Sequence, residues 1–197
     1  MEFSVLFVCT GNICRSPAAE LLFRARTVGL PITCSSAGTS GLSGHDMDAP
    51  SAMAMREYSI DASHHVARRL TAAMTTGADL VLTADSAHRS TVVQAEPLSF
   101  RRTFTMREFA RLGADLPALD GDVTPDALRR RVAEVAAQRG IVEAGPDGSD
   151  EIGDPFGAGA DVARFTVATI STALDGVLRA LGLRDEAPIT HVRSARA

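Results

Sequence analysis

The feature that most constrains this chain is a short apolar run that ends in a cysteine-containing loop. Phe3 to Val8 is almost wholly apolar or β-branched, and Gly11 follows shortly after it. Such a run predicts a strand buried on both faces, which is typical of a parallel sheet. Ser16-Pro17 then opens a helical pattern that ends near Gly29, with proline at an early helical position. The loop between the two therefore joins the end of a strand to the start of a helix.

Further strands and helices alternate along the chain. Additional strands are predicted at Pro31 to Ala37, Asp79 to Ala84 and Thr103 to Met106. Helical patterns are predicted at Ala52 to Glu57, His88 to Glu96, Arg107 to Leu112, Pro125 to Arg139 and Val162 to Leu181. This alternation predicts an α/β fold with an open, mostly parallel sheet covered by helices on both faces. Ligands bind at the carboxyl ends of the strands in such folds, which is where Cys9 is expected.

Composition narrows the function classes. The chain has 197 residues, of which 45% are hydrophobic, enough for one core, and a net charge of -4 that disfavours nucleic acid as a partner. Its three cysteines form neither a disulfide framework nor a zinc pattern, which favours a reducing, cytoplasmic location. No run approaches the roughly 18 apolar residues that span a membrane. We therefore expect a cytoplasmic protein that binds neither membrane nor nucleic acid.

One domain is predicted for residues 1–186. Within it, the helical pattern from Pro125 and the Gly- and Asp-rich stretch that follows predict an inserted helix and an exposed acidic loop at about 120–150. The polar stretch 187–197 is expected to be a flexible tail.

The loop from Cys9 to Arg15 predicts an anion site. A glycine that permits unusual backbone angles, together with a helix start, lets successive N–H groups turn toward a tetrahedral oxyanion. The same donors, together with Arg15, favour the thiolate form of Cys9 over the thiol. The residues predicted to bind phosphate are Thr10, Gly11, Asn12, Ile13, Cys14, Arg15 and Ser16.

Two side chains of this segment have more specific expected roles. The planar guanidinium of Arg15 can present two parallel donors to phosphate oxygens and stabilise the charge of a transition state. Ser16 can donate its hydroxyl to the sulfur of Cys9; alternatively, it acts only as the N-cap of the helix.

These residues resemble a known family. The segment Val8 to Pro17 is similar to the signature of the low-molecular-weight protein tyrosine phosphatases, and three later segments resemble further motifs of that family. They are Ser36-Ala37-Gly38-Thr39, His65-Val66-Ala67-Arg68 and Asp154-Pro155-Phe156. The resemblance implies a three-layer α/β/α sandwich around a four-stranded parallel sheet, in agreement with the pattern of strands and helices.

The resemblance also implies a mechanism. Cys9 would attack phosphorus while Asp154 protonates the leaving oxygen, and Asp154 would then activate the water that hydrolyses the phosphocysteine. The implied substrate is a phosphotyrosine-containing protein or a small aryl phosphate, and no cofactor or metal is required. Without the resemblance, Asp154 would be interpreted as a turn residue before proline.

The resemblance assigns supporting roles as well. Asn12, Ser36 and His65 would hold the phosphate loop in shape, although an isolated histidine such as His65 is more often an ordinary structural residue. Phe156 would form an aromatic wall for the substrate, or alternatively a packing anchor. Cys14 would form a reversible disulfide with Cys9, or alternatively be a buried loop residue.

Some features depart from the family, and other functions stay open. The family is usually shorter and has no obvious counterpart of the insert, and Gly157 stands where many relatives have a second aromatic residue. One alternative is an arsenate reductase that uses a small external thiol, since arsenate resembles phosphate. Others are a non-catalytic phosphoprotein-binding regulator and a thiol redox sensor using Cys9 and Cys14.

Overall fold

The computed structural model describes residues 1–183, and the predicted tail 187–197 lies outside them. Four parallel strands form one sheet in the order β2-β1-β3-β4. The strands are β1 (Phe3–Cys9), β2 (Ile32–Gly38), β3 (Leu80–Thr83) and β4 (Thr103–Thr105). The predicted α/β fold with a four-stranded parallel sheet is therefore confirmed.

Seven α-helices surround this sheet in the part of the chain that the structure describes. They are α1 (Arg15–Arg26), α2 (Ala49–Met55), α3 (Ala72–Gly77), α4 (Ser86–Ala95), α5 (Met106–Leu112), α6 (Pro125–Ala137) and α7 (Ala160–Ala180). None of the helices within residues 1–183 is both long and apolar enough to cross a lipid bilayer.

Strand β1 is central and buried, as its apolar sequence predicts. Leu6 and Val8 face one side of the sheet, in a cluster with Val81 and Val92, whereas Phe7 faces the other. There Phe7 meets Phe23 of α1 edge to face, with ring centroids 5.4 Å apart. Because both faces of the sheet are covered, polar groups are accommodated best at the strand ends.

The register of the sheet brings three strand ends to one edge. Cys9 pairs with Gly38 at the end of β2, and Val8 pairs with Thr83 at the end of β3. The loops that leave β1, β2 and β3 therefore start side by side, and a side chain from each can reach the same point in space.

Two short elements are absent from the sequence-based prediction. Helix α3 has six residues and starts at a cap where the side chain of Thr71 accepts the N–H of Met74. Residues 97–102 form a 3-10 helix that starts at Pro97. Helices this short have too few turns to give an apolar period.

Helix α6 is part of the main core. Leu128, Val132 and Val135 on its inner face are buried with Phe109 and Leu174. The segment predicted as an insert thus contributes apolar surface to the fold through this helix, whereas residues 120–124 before it and the loop after it are largely exposed.

Candidate active site

Cys9 contacts the first turn of α1. Its side chain is buried, and its Sγ lies 3.0 Å from Oγ of Ser16. Cys14 occupies the N-cap position, and within residues 1–183 no side chain caps the helix. The first turn also lacks acidic residues. This helix end therefore offers its free N–H groups and the positive end of its dipole to an anion.

The same geometry corrects one alternative for Ser16. Cys14, rather than Ser16, is the residue at the N-cap, and Ser16 is already inside the helix. Its hydroxyl is held by Cys9 on one side and by Nδ2 of Asn12, at 2.9 Å, on the other. The N-cap interpretation of Ser16 is therefore wrong, because the chain enters the helix two residues earlier.

Asn12 ties the loop to the rest of the molecule. It is fully buried and adopts a φ of 59°, a left-handed conformation that asparagine tolerates better than most residues. Its Nδ2 also donates to Oγ of Ser36 at 2.8 Å, and its Oδ1 accepts the backbone N–H of Arg68 at 2.9 Å. Nε2 of His65 lies 2.7 Å from the carbonyl oxygen of Asn12. The structure thus brings Asn12, Ser36 and His65 together around the loop.

Two neighbours extend this network. Ser36 donates its hydroxyl to Oε2 of Glu20 at 2.5 Å, and Nε of Arg68 donates to the carbonyl of Ser36 at 2.7 Å. Gly38 leaves room for the loop: a Cβ there would lie 2.3 Å from the carbonyl oxygen of Thr10. Any larger residue would push the loop out of place, because a Cβ cannot approach a backbone oxygen so closely.

Arg15 is the side chain that connects the loop to the opposite wall of the site. It is only 4% exposed. Its Nη1 donates to Oδ2 of Asp85 and to the carbonyl oxygen of Ile152, both at 3.2 Å. Its Nη2 lies 3.4 Å from Oγ1 of Thr10 and 3.0 Å from Oδ2 of Asp154.

One hydrogen-bond donor of Arg15 makes no hydrogen bond to a described residue. Its Nε is buried and has no hydrogen-bond partner among the described residues. A buried donor without a partner is costly unless a ligand satisfies it. The Nε edge of the guanidinium is therefore suited to a phosphate oxygen, with Nη2 as the second arm of the fork.

Asp154 reaches the site from a loop that the sheet holds in place. The N–H of Ile152 donates to the carbonyl of Ala84, just after β3, at 2.9 Å. Asp154 follows two residues later, half-exposed, and its Oδ1 accepts the N–H of Phe156 at 3.3 Å. An exposed carboxyl beside a buried Arg15 can contact both the solvent and a ligand in the cradle. Phe156 has 62% of its surface exposed, which argues against the packing-anchor alternative.

Arginines of α5 anchor the acidic loop that leads to Asp154. Arg107 donates to the carbonyl oxygens of Ser149 and Glu151 at 3.0 and 3.2 Å. Arg111 forms a two-pronged ion pair with Asp150, the shorter contact being 2.6 Å. The last residues of the loop are therefore fixed to the body of the protein, although much of its surface is exposed.

Sequence reasoning missed two residues of the site, Asp85 and His88. Asp85 caps α4, where its Oδ1 accepts the N–H of His88 at 2.9 Å, while its other oxygen contacts Arg15. Nε2 of His88 lies 2.8 Å from Oγ1 of Thr10. The position of Asp85, two residues beyond the end of β3, is the signal that could have found the pair, since the carboxyl ends of parallel strands meet at one edge.

The other cysteines differ from Cys9 in their surroundings. Burial raises the pKa of the Cys14 thiol to about 12 and that of Cys34 to about 11. Both are therefore protonated at neutral pH. No disulfide joins any of the three cysteines in the structure. Residues 1–183 contain no group of three or more His, Cys, Asp or Glu side chains arranged to hold a metal ion.

Comparison with known proteins adds to this geometry. A low molecular weight protein-tyrosine-phosphatase, Ptp of Acinetobacter johnsonii, is 37% identical over 107 residues, which are 54% of this chain and 74% of the relative. The protein-arginine-phosphatase of Geobacillus stearothermophilus is 33% identical over 124 residues, which are 62% of this chain and 78% of the relative.

A solved structure and a family model agree with these relatives. The crystal structure of the low molecular weight protein tyrosine phosphatase from T. tengcongensis has a TM-score of 0.67 and 28% identity, covering 90% of this chain and 99% of that one. The family model described as low molecular weight phosphotyrosine protein phosphatase matches residues 4–120, which include the loop of Cys9. The chain therefore belongs to the low molecular weight phosphotyrosine protein phosphatase family of hydrolases.

Proposed function

We propose that this hydrolase removes the phosphoryl group from phosphotyrosine in proteins, and from small aryl phosphates, through a phosphocysteine on Cys9. The observation that carries the proposal is the contact between Arg15 and Asp154. It joins the loop of Cys9 to a carboxyl group from a distant part of the chain, with a 3.0 Å separation between Nη2 and Oδ2. A nucleophile, an oxyanion site and an acid in reach of one another are what acyl or phosphoryl transfer needs.

The first step forms a sulfur–phosphorus bond. The thiolate of Cys9 attacks phosphorus while the bond from phosphorus to the tyrosine oxygen breaks, and protonated Asp154 gives its proton to that oxygen. The phosphate oxygens are held by the free N–H groups of α1 and by Nε and Nη2 of Arg15. A phosphate bound in this way takes the place that the carboxylate of Asp154 has beside Nη2.

The second step breaks that bond with water. The carboxylate of Asp154 accepts a proton from the attacking water, which forms inorganic phosphate and releases the thiolate. The hydroxyl of Ser16, 3.0 Å from the sulfur, stabilises the departing thiolate by a hydrogen bond. Asn12, Ser36 and His65 act only by holding the loop in shape.

Steady-state kinetics with two substrates test this function. The parent protein should hydrolyse both phosphotyrosine and p-nitrophenyl phosphate, and Cys9→Ser should abolish both activities. Asp154→Asn should lower kcat for phosphotyrosine by about 10²- to 10⁴-fold, with a smaller loss for p-nitrophenyl phosphate, because nitrophenolate leaves more readily without a proton.

The matched control is Asp147→Asn, which removes an exposed carboxylate from the same acidic loop. It should leave both rates within about twofold, since surface substitutions away from a site have small effects. Equal losses in Asp147→Asn and Asp154→Asn would show that loop charge, and not a general acid, is responsible. A parent protein that is inactive on both substrates would refute the function.

The arginine phosphatase relative supports a second candidate substrate, phosphoarginine. We favour phosphotyrosine because two exposed side chains next to site residues are apolar: Leu42, whose N–H donates to the carbonyl oxygen of Gly11, and Phe156, whose N–H donates to Asp154. Peptides carrying either phosphoamino acid should be compared on one preparation, with phosphotyrosine giving the higher kcat/KM. The phosphatase names of the relatives favour hydrolysis over arsenate reduction or a regulatory role, and thiol-dependent arsenate reduction without hydrolysis would reverse that order.

A further inference from the structure

Four polar side chains form a closed ring beside the phosphate loop. Nη1 of Arg15 lies 3.2 Å from Oδ2 of Asp85, and Oδ1 of Asp85 lies 2.6 Å from Nδ1 of His88. Nε2 of His88 lies 2.8 Å from Oγ1 of Thr10, which in turn lies 3.4 Å from Nη2 of Arg15. Asp85 and His88 have no part in the proposed chemistry, so the ring needs a separate explanation.

The surroundings of His88 determine its protonation state. It is 6% exposed, and burial lowers its pKa despite the opposing influence of Asp85 and Asp154; Arg15 lowers it further. The imidazole of His88 is therefore neutral at pH 7. Nδ1 faces a carboxylate, which can only accept, so we assign the proton to Nδ1 even though the contact lies off the ideal hydrogen-bond direction. Nε2 is then an acceptor.

This assignment fixes the direction of the next two contacts. With Nε2 of His88 as an acceptor, the hydroxyl of Thr10 donates to it. The oxygen of Thr10 then turns a lone pair toward Nη2 of Arg15, which can only donate. Both terminal nitrogens of the guanidinium are thus oriented by the protein, while Nε and the second N–H of Nη2 are left for a phosphate that replaces Asp154.

We propose that His88 is a positioning residue of the phosphate site, acting through Thr10 and Asp85 to hold the guanidinium of Arg15 in the orientation that receives a phosphate oxyanion. The proposal rests on the function given above, since it concerns the same site. A guanidinium held before the ligand arrives loses less conformational freedom on binding than a free one, so the ring raises the affinity for phosphate.

The test is a double-mutant cycle read by binding of inorganic phosphate in isothermal titration calorimetry. His88→Phe removes one member of the ring. Thr10→Val removes the hydroxyl of Thr10 while keeping a β-branched side chain of similar shape. Each single variant should raise the Kd for phosphate about tenfold, the equivalent of one hydrogen bond to a charged group. The double variant should be no weaker than either single one, because one break already opens the ring.

Two further variants separate positioning from folding. Thr10→Ser retains a hydroxyl and should recover most of the affinity lost in Thr10→Val. His64→Phe alters an exposed histidine outside the ring and should bind phosphate as the parent does. A partly unfolded variant would instead show a lower stoichiometry with an unchanged Kd, so a stoichiometry near one is required.

Several results would overturn the proposal. They are an unchanged Kd in His88→Phe, losses that add to about a hundredfold in the double variant, and a lowered stoichiometry as the only change. The binding assay needs no turnover, so its result does not depend on whether the protein hydrolyses phosphate esters. A parent protein that binds phosphate but hydrolyses no aryl phosphate would refute the function while the cycle still tests the ring.

Discussion

Replacing Asn12 by alanine should destabilise the protein more than replacing it by glycine. The fully buried amide of Asn12 makes three side-chain hydrogen bonds, to the hydroxyls of Ser16 and Ser36 and to the backbone N–H of Arg68. At about 1 kcal/mol net for each, both substitutions lose about 3 kcal/mol of unfolding free energy. Alanine adds about 1 kcal/mol because the φ of 59° is left-handed, a conformation that glycine adopts freely.

Equilibrium unfolding in urea measures this difference. The midpoints should fall in the order parent, Asn12→Gly, Asn12→Ala, with similar slopes for all three proteins. Because both variants lack the same three hydrogen bonds, the gap between them isolates the backbone conformation. An alanine variant as stable as the glycine variant, or a loss below about 1 kcal/mol in both, would refute the role of Asn12 in shaping the loop.

Three further predictions follow from the site. Iodoacetamide at pH 7 should alkylate Cys9 well before Cys14, whose pKa of about 12 keeps it as a thiol; mass spectrometry should find the reverse order if this is wrong. Gly38→Ala should lower kcat/KM at least tenfold because its Cβ meets the loop backbone, whereas Gly77→Ala, with open space around it, should not; equal effects would contradict this. The lowered pKa of His88 means that below about pH 6.5 the unfolded chain binds a proton that the folded state does not. The free energy of unfolding should therefore decrease as the pH is lowered through this range, and it should decrease less steeply in His88→Gln. Equal pH slopes in the two proteins would contradict the burial of a neutral imidazole at His88.

The sheet could be predicted from sequence because its strands have strong local signals. The apolar run from Phe3 and the helix start at Ser16-Pro17 specify a strand, a loop and a helix without any information from elsewhere in the chain. The structure extends the first strand only to Cys9. The loop of Cys9 was predictable for the same reason, since its residues are consecutive.

Site residues that are distant in sequence from the loop of Cys9 were harder to predict. Asp85 and His88 are unremarkable in sequence: an aspartate that caps a helix and a histidine one turn later. They reach Arg15 and Thr10 only because the ends of β1 and β3 are adjacent in the sheet. The same is true of Arg107, whose contacts with the acidic loop depend on the packing of α5. Local patterns do not encode such contacts between distant segments.

The roles given to Cys9 and Asp154 can be tested by trapping the intermediate. A Cys14→Ser protein would be mixed with p-nitrophenyl phosphate, quenched within its first turnovers, digested and analysed by mass spectrometry, with Cys14 removed to leave one thiol in the loop. We expect a phosphoryl group on Cys9 that persists longer in Cys14→Ser/Asp154→Asn, because residue 154 then no longer activates water. A phosphoryl group on another residue, or turnover with no phosphorylated enzyme, would contradict it.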